Sequence, residues 1–270
     1  MEKLFLTQEE IARSIDEACQ KKVSFSFMRT YILAILAGVY IGFGAHLYTV
    51  VTTGELGKSW FGLNKFLGGS VFSVGLMLVI IAGSELFTGN SLLSAGVISG
   101  RVKLRQVFRN WAIVYFGNFT GSVLLALMIS RSGILKGAVG ENALNIAYYK
   151  ATALSFNEAL LRGIGCNWLV CLAIILATSA RTTAGKVWGI YFPIMAFVAS
   201  GFEHSIANMY FIPAGIFIKS LVGTKGIYTA LNWTSMFLNN LIPVTIGNII
   251  GGALFVGLPY ALLYGKTKKG

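Results

Sequence analysis

The chain has 270 residues, 55% of them hydrophobic and only 12% charged. A soluble domain carries about 25% charged residues, so this composition excludes both a soluble fold and intrinsic disorder. The net charge of +12 does not indicate nucleic acid, because membrane proteins concentrate Lys and Arg in cytoplasmic loops.

Long, closely spaced apolar runs predict an all-α integral membrane protein, since barrel strands would alternate over about ten residues. Residues 1–24 read as a short amphipathic helix on the cytoplasmic side. Thr7 and Glu10 form a capping box, and Ile11, Ile15 and Ala18 share one face. Five acidic residues in this stretch argue against a signal peptide.

Six apolar segments follow, at roughly 30–51, 66–99, 110–130, 159–180, 187–218 and 238–264. The second and fifth are too long. Between Lys65 and Arg101 lie 35 residues with one charge, Glu85, and between Lys186 and Lys219 lie 32 with only Glu203 and His204. A straight span needs about 20 residues. Both segments are therefore predicted to break within the membrane, near 84–91 and 199–206. With both termini in the cytoplasm, 14 of the 22 Lys and Arg fall inside and 8 outside, which supports that orientation and a multi-pass protein of the cell (inner) membrane. Trp60 and Trp233 would then mark the outer interface, Trp111 and Trp188 the inner one. Cys19, Cys166 and Cys171 are too few for a disulfide framework.

The long segments align with each other. Residues 83–90 read G-S-E-L-F-T-G-N and residues 201–208 read G-F-E-H-S-I-A-N, 118 positions apart. The third and sixth segments share G-N-F-T-G (117–121) and G-N-I-I-G (247–251). A single membrane domain, 1–270, thus divides into a first repeat at 30–130 and a second at 159–264. Three spans per half require the second half to be inverted, with a transport site near the midplane between the breaks.

Glu85 and Glu203 occupy the same repeat position. An acid at a helix break can accept bonds from freed backbone N–H groups, and an intramembrane carboxylate can also handle a proton or ion. Asn90, Asn208, Asn118 and Asn248 are expected to brace the breaks. The G-N-x-x-G spacing also lets helices pack closely. His204 departs from the repeat, its counterpart being Leu86, and titrates near neutral pH. Thr88 could place a hydroxyl at the same depth or cap a helix. Leu76, Leu86, Phe72 and Phe197 could form apolar constrictions or simply pack.

The motifs A-G-S-E-L-F-T-G-N (82–90), F-G-N-F-T-G (116–121), G-I-G-C-N-W-L-V-C-L-A (163–173), F-V-A-S-G-F-E-H-S-I-A-N-M (197–209) and I-P-V-T-I-G-N-I-I-G-G (242–252) resemble the formate/nitrite transporter family, which includes hydrosulfide channels. The resemblance covers nearly the whole chain. It implies an aquaporin-like six-helix protomer, a homopentamer in the lipid bilayer and one pore per protomer. It implies a central His at His204, a loop Thr at Thr88, a Lys before the fourth helix at Lys150 and an Asn within that helix at Asn167. Constrictions would fall at Phe197 with Leu76 and at Phe72 with Leu86.

The expected function is a channel or transporter for small monovalent weak-acid anions such as formate, nitrite or hydrosulfide. His204 would protonate or hydrogen-bond the anion, beside Thr88 and the positive field of Lys150. An aquaporin-like channel for small neutral solutes is the rival reading. No enzyme, metal or cofactor is expected. The two histidines are 158 residues apart, and H-E-x-x-H and G-x-S-x-G are absent.

Overall fold

The computed structural model describes residues 5–54, 60–223 and 226–265. Lys3, Lys58, Lys225, Lys266, Lys268 and Lys269, counted in the charge bias above, lie outside the described residues. Among the described residues the fold is all-helical, with a single antiparallel bridge between Phe5 and Ala180.

Among the described residues, and apart from a short 3-10 turn at Gly226–Ala230, ten helical stretches follow in chain order: α1 Gln8–Ser24, α2 Phe27–Val51, α3 Phe61–Gly83, α4 Gly89–Ile98 and α5 Leu104–Arg131. Then come α6 Ala138–Thr152, α7 Phe156–Ser179, α8 Thr183–Ala199, α9 Ser205–Val222 and α10 Trp233–Tyr264. By length and apolarity α2, α3, α5, α7 and α10 could each cross a membrane, while α4, α8 and α9 are shorter. Helical geometry lapses between α3 and α4 and again between α8 and α9. Both lapses begin at a glycine with positive φ, 87° at Gly83 and 77° at Gly201, a backbone region that a β-carbon disfavours.

Two helix pairs form the frame, α2 with α5 and α7 with α10. Each is closed by a glycine that lies directly on a partner carbonyl: Gly121 on Ile35, and Gly247 on Leu160. A β-carbon at either position would collide with that carbonyl oxygen.

α6 was not foreseen. Its apolar residues Ala143, Leu144, Ala147 and Ala151 are buried at helical spacing, but the segment is too short and polar to read as a span. Lys150, expected in a loop, therefore stands on a helix.

At the chain's start, the Thr7–Glu10 capping box is present on α1. The buried face consists of Ile11, Ala12, Ile15 and Cys19. Ala18, expected on that face, is exposed, because the helix docks along the i, i+4, i+8 row from Ile11 to Cys19. The Cys19 thiol is 3% exposed and pushed up to about 12 by burial. Asp16 accepts a 2.8 Å bond from the Ser99 hydroxyl. Burial raises the Asp16 carboxyl above the usual carboxylate range, against the opposing effects of Ser99 and Arg101.

Two outcomes follow from this packing. Gly121→Ala and Gly247→Ala each overpack a helix crossing, at a cost of about 1–3 kcal/mol. Both should lower the thermal midpoint of the detergent-solubilised protein. For α1, the docked helix holds the Asp16 proton more tightly than the free helix does. Acid should therefore tighten docking, and rising pH through that raised range should loosen it. In a Cys166→Ala/Cys171→Ala background, maleimide labelling of Cys19 relative to an Asp16→Asn variant should climb with pH. A flat ratio would contradict this.

Candidate functional site between two interrupted helices

An interrupted helix frees backbone N–H and C=O groups that must find partners. Here the partners come from one asparagine in each half. Asn118 Oδ1 accepts the Phe87 N–H at 2.9 Å, and its Nδ2 donates to the carbonyls of Ala34 (2.7 Å) and Glu85 (2.9 Å). Asn248 Oδ1 accepts the Ser205 N–H at 2.9 Å, and its Nδ2 donates to Gly163 (2.8 Å) and Glu203 (3.0 Å). The N–H groups of Glu85 and Glu203 bond the Leu33 and Arg162 carbonyls, each at 3.2 Å.

The two carboxylates do not take backbone N–H bonds, contrary to the expectation for them. Glu85 accepts from Lys22 Nζ (2.8 Å) and Asn90 Nδ2 (2.7 Å), and Asn90 Nδ2 also donates to Asn110 Oδ1 (2.8 Å). Glu203 accepts from Lys150 Nζ (2.8 and 3.0 Å) and Asn208 Nδ2 (2.7 Å), and Asn208 Nδ2 also donates to Asn240 Oδ1 (2.7 Å). A buried carboxylate needs a cation more than a neutral donor, and the asparagines already serve the amides. The two clusters differ in detail, and Asn240 Nδ2 adds a long 3.4 Å bond to Glu203 that Asn110 does not make to Glu85. Lys22 also reaches Asn90 Oδ1 at 2.9 Å, whereas Lys150 takes both Glu203 oxygens and Asn208 Oδ1 has no protein partner.

Lys22, Asn110 and Asn240 were missed as site residues. A signal for the asparagines existed: each stands eight positions before the Asn of a G-N-x-x-G motif, on the same helix face. Nothing in the sequence pairs Lys22 with Glu85, 63 residues away. A π-helical turn at Met236–Leu241 widens α10 there. The adjacent Asn239 and Asn240 both donate to α6 carbonyls, those of Ala151 and Lys150.

His204 and Thr88 meet where the two interruptions face each other. Thr88 Oγ1 lies 3.0 Å from His204 Nε2, and the two residues are 0% and 3% exposed. His204 caps α9: its Nδ1 accepts the Ala207 N–H at 3.0 Å. That bond fixes the neutral tautomer with its proton on Nε2. Asn167 sits beneath, donating to the Thr88 carbonyl and Ser91 hydroxyl at 3.1 Å each and to the Asn248 carbonyl at 2.6 Å. It braces the Thr88 turn and, like Thr88 itself, lines neither of the two cavities described below. Trp111, expected in an interfacial belt, is partly buried and donates its indole N–H to the Asn90 carbonyl at 2.8 Å.

Two cavities lie beside this pair and share no lining residue: the first is lined by His204, the second by Leu86 and Gly89, which flank Thr88 in the chain. The first, about 470 Å³, reaches Phe72, Phe197 and His204 and carries Lys65, Lys150, Arg162 and Glu203. The second, about 500 Å³, reaches Leu76 and Leu86 and carries Lys21, Lys22, Arg29 and Glu85, with α1 along one wall. The apolar residues thus group differently from expectation. Phe72 and Phe197 meet edge to face, centroids 5.7 Å apart, at the first cavity, while Leu76 and Leu86 both belong to the second. Phe197 also stacks on the His204 ring, centroids 5.9 Å apart. All four are 2% exposed.

The family model for formate/nitrite transporters matches residues 9–262. The chain belongs to the formate/nitrite transporter family. It is 41% identical to a probable formate transporter of Methanothermobacter thermautotrophicus, covering 97% of this chain and 98% of that one. It is 40% identical to the formate channel FocA of Escherichia coli K12, covering 94% and 93%. A solved pentameric formate channel with formate bound superposes with a TM-score of 0.78 at 40% identity, over 89% of this chain and 98% of that chain. An ion channel of the same family superposes at 0.83 and 30% identity, over 93% and 97%.

Asn118→Leu and Asn248→Leu each leave one buried N–H and two carbonyls unpaired. At about 1–3 kcal/mol per buried unpaired group, each should cost roughly 3 kcal/mol or more. The check is thermal or denaturant unfolding in detergent. A loss no larger than that of an ordinary core Leu→Val change would contradict the bracing role.

Proposed function

We propose that this protein is a channel for small monovalent weak-acid anions, formate foremost, with nitrite and hydrosulfide as further candidates. The observation that carries the reading is the His204–Thr88 pair, sealed by four apolar side chains between two cavities that each hold three cations and one acid. Formate is chosen because the similar proteins named above are formate channels or transporters. A neutral solute would gain nothing from the excess cations.

The wider architecture completes the reading. Six spans form two halves, the second inverted, with both termini in the cytoplasm and α1 on the inner face. Five protomers assemble, as in the solved pentameric formate channel. The first cavity is then the outer vestibule and the second the inner one.

In this mechanism the vestibule charges concentrate the anion. Lys150 is paired with Glu203, so it orders the vestibule wall while the net attraction of the first cavity comes from its other cations. Bare charge pays heavily to pass the apolar constrictions. At the centre, His204 Nε2–H and the Thr88 hydroxyl donate hydrogen bonds to the anion and replace part of its hydration. The neutral ring is a donor of hydrogen bonds and too weak an acid to protonate formate. For His204 to transfer a proton it must first become imidazolium. Its second proton would sit on Nδ1, facing the Ala207 N–H, and protonation would therefore cost the α9 cap.

Proteoliposome flux tests this. His204→Asn keeps a donor but no titratable ring, and should lower formate flux and weaken its pH dependence. His204→Phe should nearly abolish flux. Wild-type rates and pH dependence in His204→Asn would remove the central role of the imidazole.

A further inference from the structure

We propose that Lys65 and Arg162 form an anion-capture site at the mouth of the first cavity, where a small planar carboxylate is held before it reaches the His204–Thr88 pair. The inference rests on the channel reading above and names two further specificity-determining residues for it.

The cavity's charges are not equivalent. Glu203 is the one acid among its lining residues, and Lys150 occupies both carboxylate oxygens at 2.8 and 3.0 Å. The charge of Lys150 is thereby matched. Neither Lys65 nor Arg162 makes a salt bridge among the described residues: Lys65 feels Glu203 only through space, and Arg162 interacts in the same way with Glu158, which does not line the cavity. The Lys65 ammonium lies 5.5 Å from the Phe61 ring centroid, and the Arg162 guanidinium donates to the Tyr149 hydroxyl at 3.1 Å. Both neighbours, Phe61 and Tyr149, are themselves lining residues. The two spare positive charges of the cavity are therefore those of Lys65 on α3 and Arg162 on α7.

The internal repeat shows that the backbone bond made at this position does not call for a guanidinium. Arg162 accepts the Glu203 N–H with its backbone carbonyl. In the other half the same bond, from the Glu85 N–H, is made by the carbonyl of Leu33, whose side chain lines the second cavity. A leucine therefore suffices for the structural task. What arginine adds is a fork of donors directed into the cavity, only one of which is used by Tyr149. Guanidinium matches a carboxylate in a planar, two-bond geometry that a spherical halide cannot reproduce. Lys65 supplies a point charge beside it. This pairing suits formate or nitrite better than chloride.

The test is formate flux into proteoliposomes of the full chain, measured against formate concentration at low and high ionic strength. Lys65→Gln and Arg162→Gln should each raise the half-saturating concentration about 3- to 10-fold at low salt, with maximal flux changed less than about twofold. The shift should shrink at high salt, where exposed charges are screened. Arg162→Lys should retain most of the attraction yet let chloride compete more effectively. Arg162→Leu, which copies the other half of the chain, should fold with wild-type thermal stability and show the same shift as Arg162→Gln. Unshifted half-saturation in the Gln variants, or a loss confined to maximal flux, overturns the site while leaving the channel reading standing. Wild-type vesicles that carry no formate overturn both.

Discussion

The structure depends on one requirement. Where a helix stops inside an apolar protein, its freed amides and carbonyls must be bonded by something other than water. Asn118 and Asn248 meet it, each with one acceptor and two donor bonds to backbone. An amide side chain suits this task because it accepts and donates at once. A carboxylate could only accept, and a hydroxyl offers one donor. With the backbone served in this way, Glu85 and Glu203 are free to take the cations Lys22 and Lys150.

That division of labour ties distant parts of the chain together. Lys22 belongs to α1 and Lys150 to α6, two amphipathic helices that each precede the first long helix of their half. Docking of either helix brings a cation to a buried carboxylate, and a carboxylate left without its cation is costly by several kcal/mol. The amphipathic helices are thus part of the interruptions they cover. The bracing extends to the functional pair: Asn167 holds the Thr88 carbonyl, and His204 is held by the cap it gives to Ala207. Each of these two side chains therefore stands on a fixed backbone.

The same bonding explains why the central imidazole is a hydrogen-bond donor at rest. Its Nδ1 is committed to α9, so only Nε2–H faces Thr88. In the proposed channel, the two cavities would supply attraction through charge and the four apolar residues a barrier, so that selectivity would reside in the difference between an anion that can share hydrogen bonds at the barrier and one that cannot.

Much of this was written in the sequence. Excess length of the two apolar segments located the interruptions, and the repeated G-x-E and G-N-x-x-G motifs located the residues around them, because periodicity and spacing are local properties of a chain. The resemblance added Thr88, Lys150 and Asn167. Which atoms meet was not legible. That Glu203 binds Lys150 and not a backbone amide, that Asn167 faces the Thr88 carbonyl, that Phe72 pairs with Phe197 while Leu76 and Leu86 share the other cavity, and that α6 is a helix at all depend on contacts across 50 or more residues or on a face that only packing selects. By itself the sequence determined a helical membrane protein with two interrupted segments and a polar residue at each interruption. The tertiary structure alone decided the partners, since hydrogen bonds and buried charges are satisfied by whatever the fold brings within 3 Å, and sequence spacing does not encode that distance.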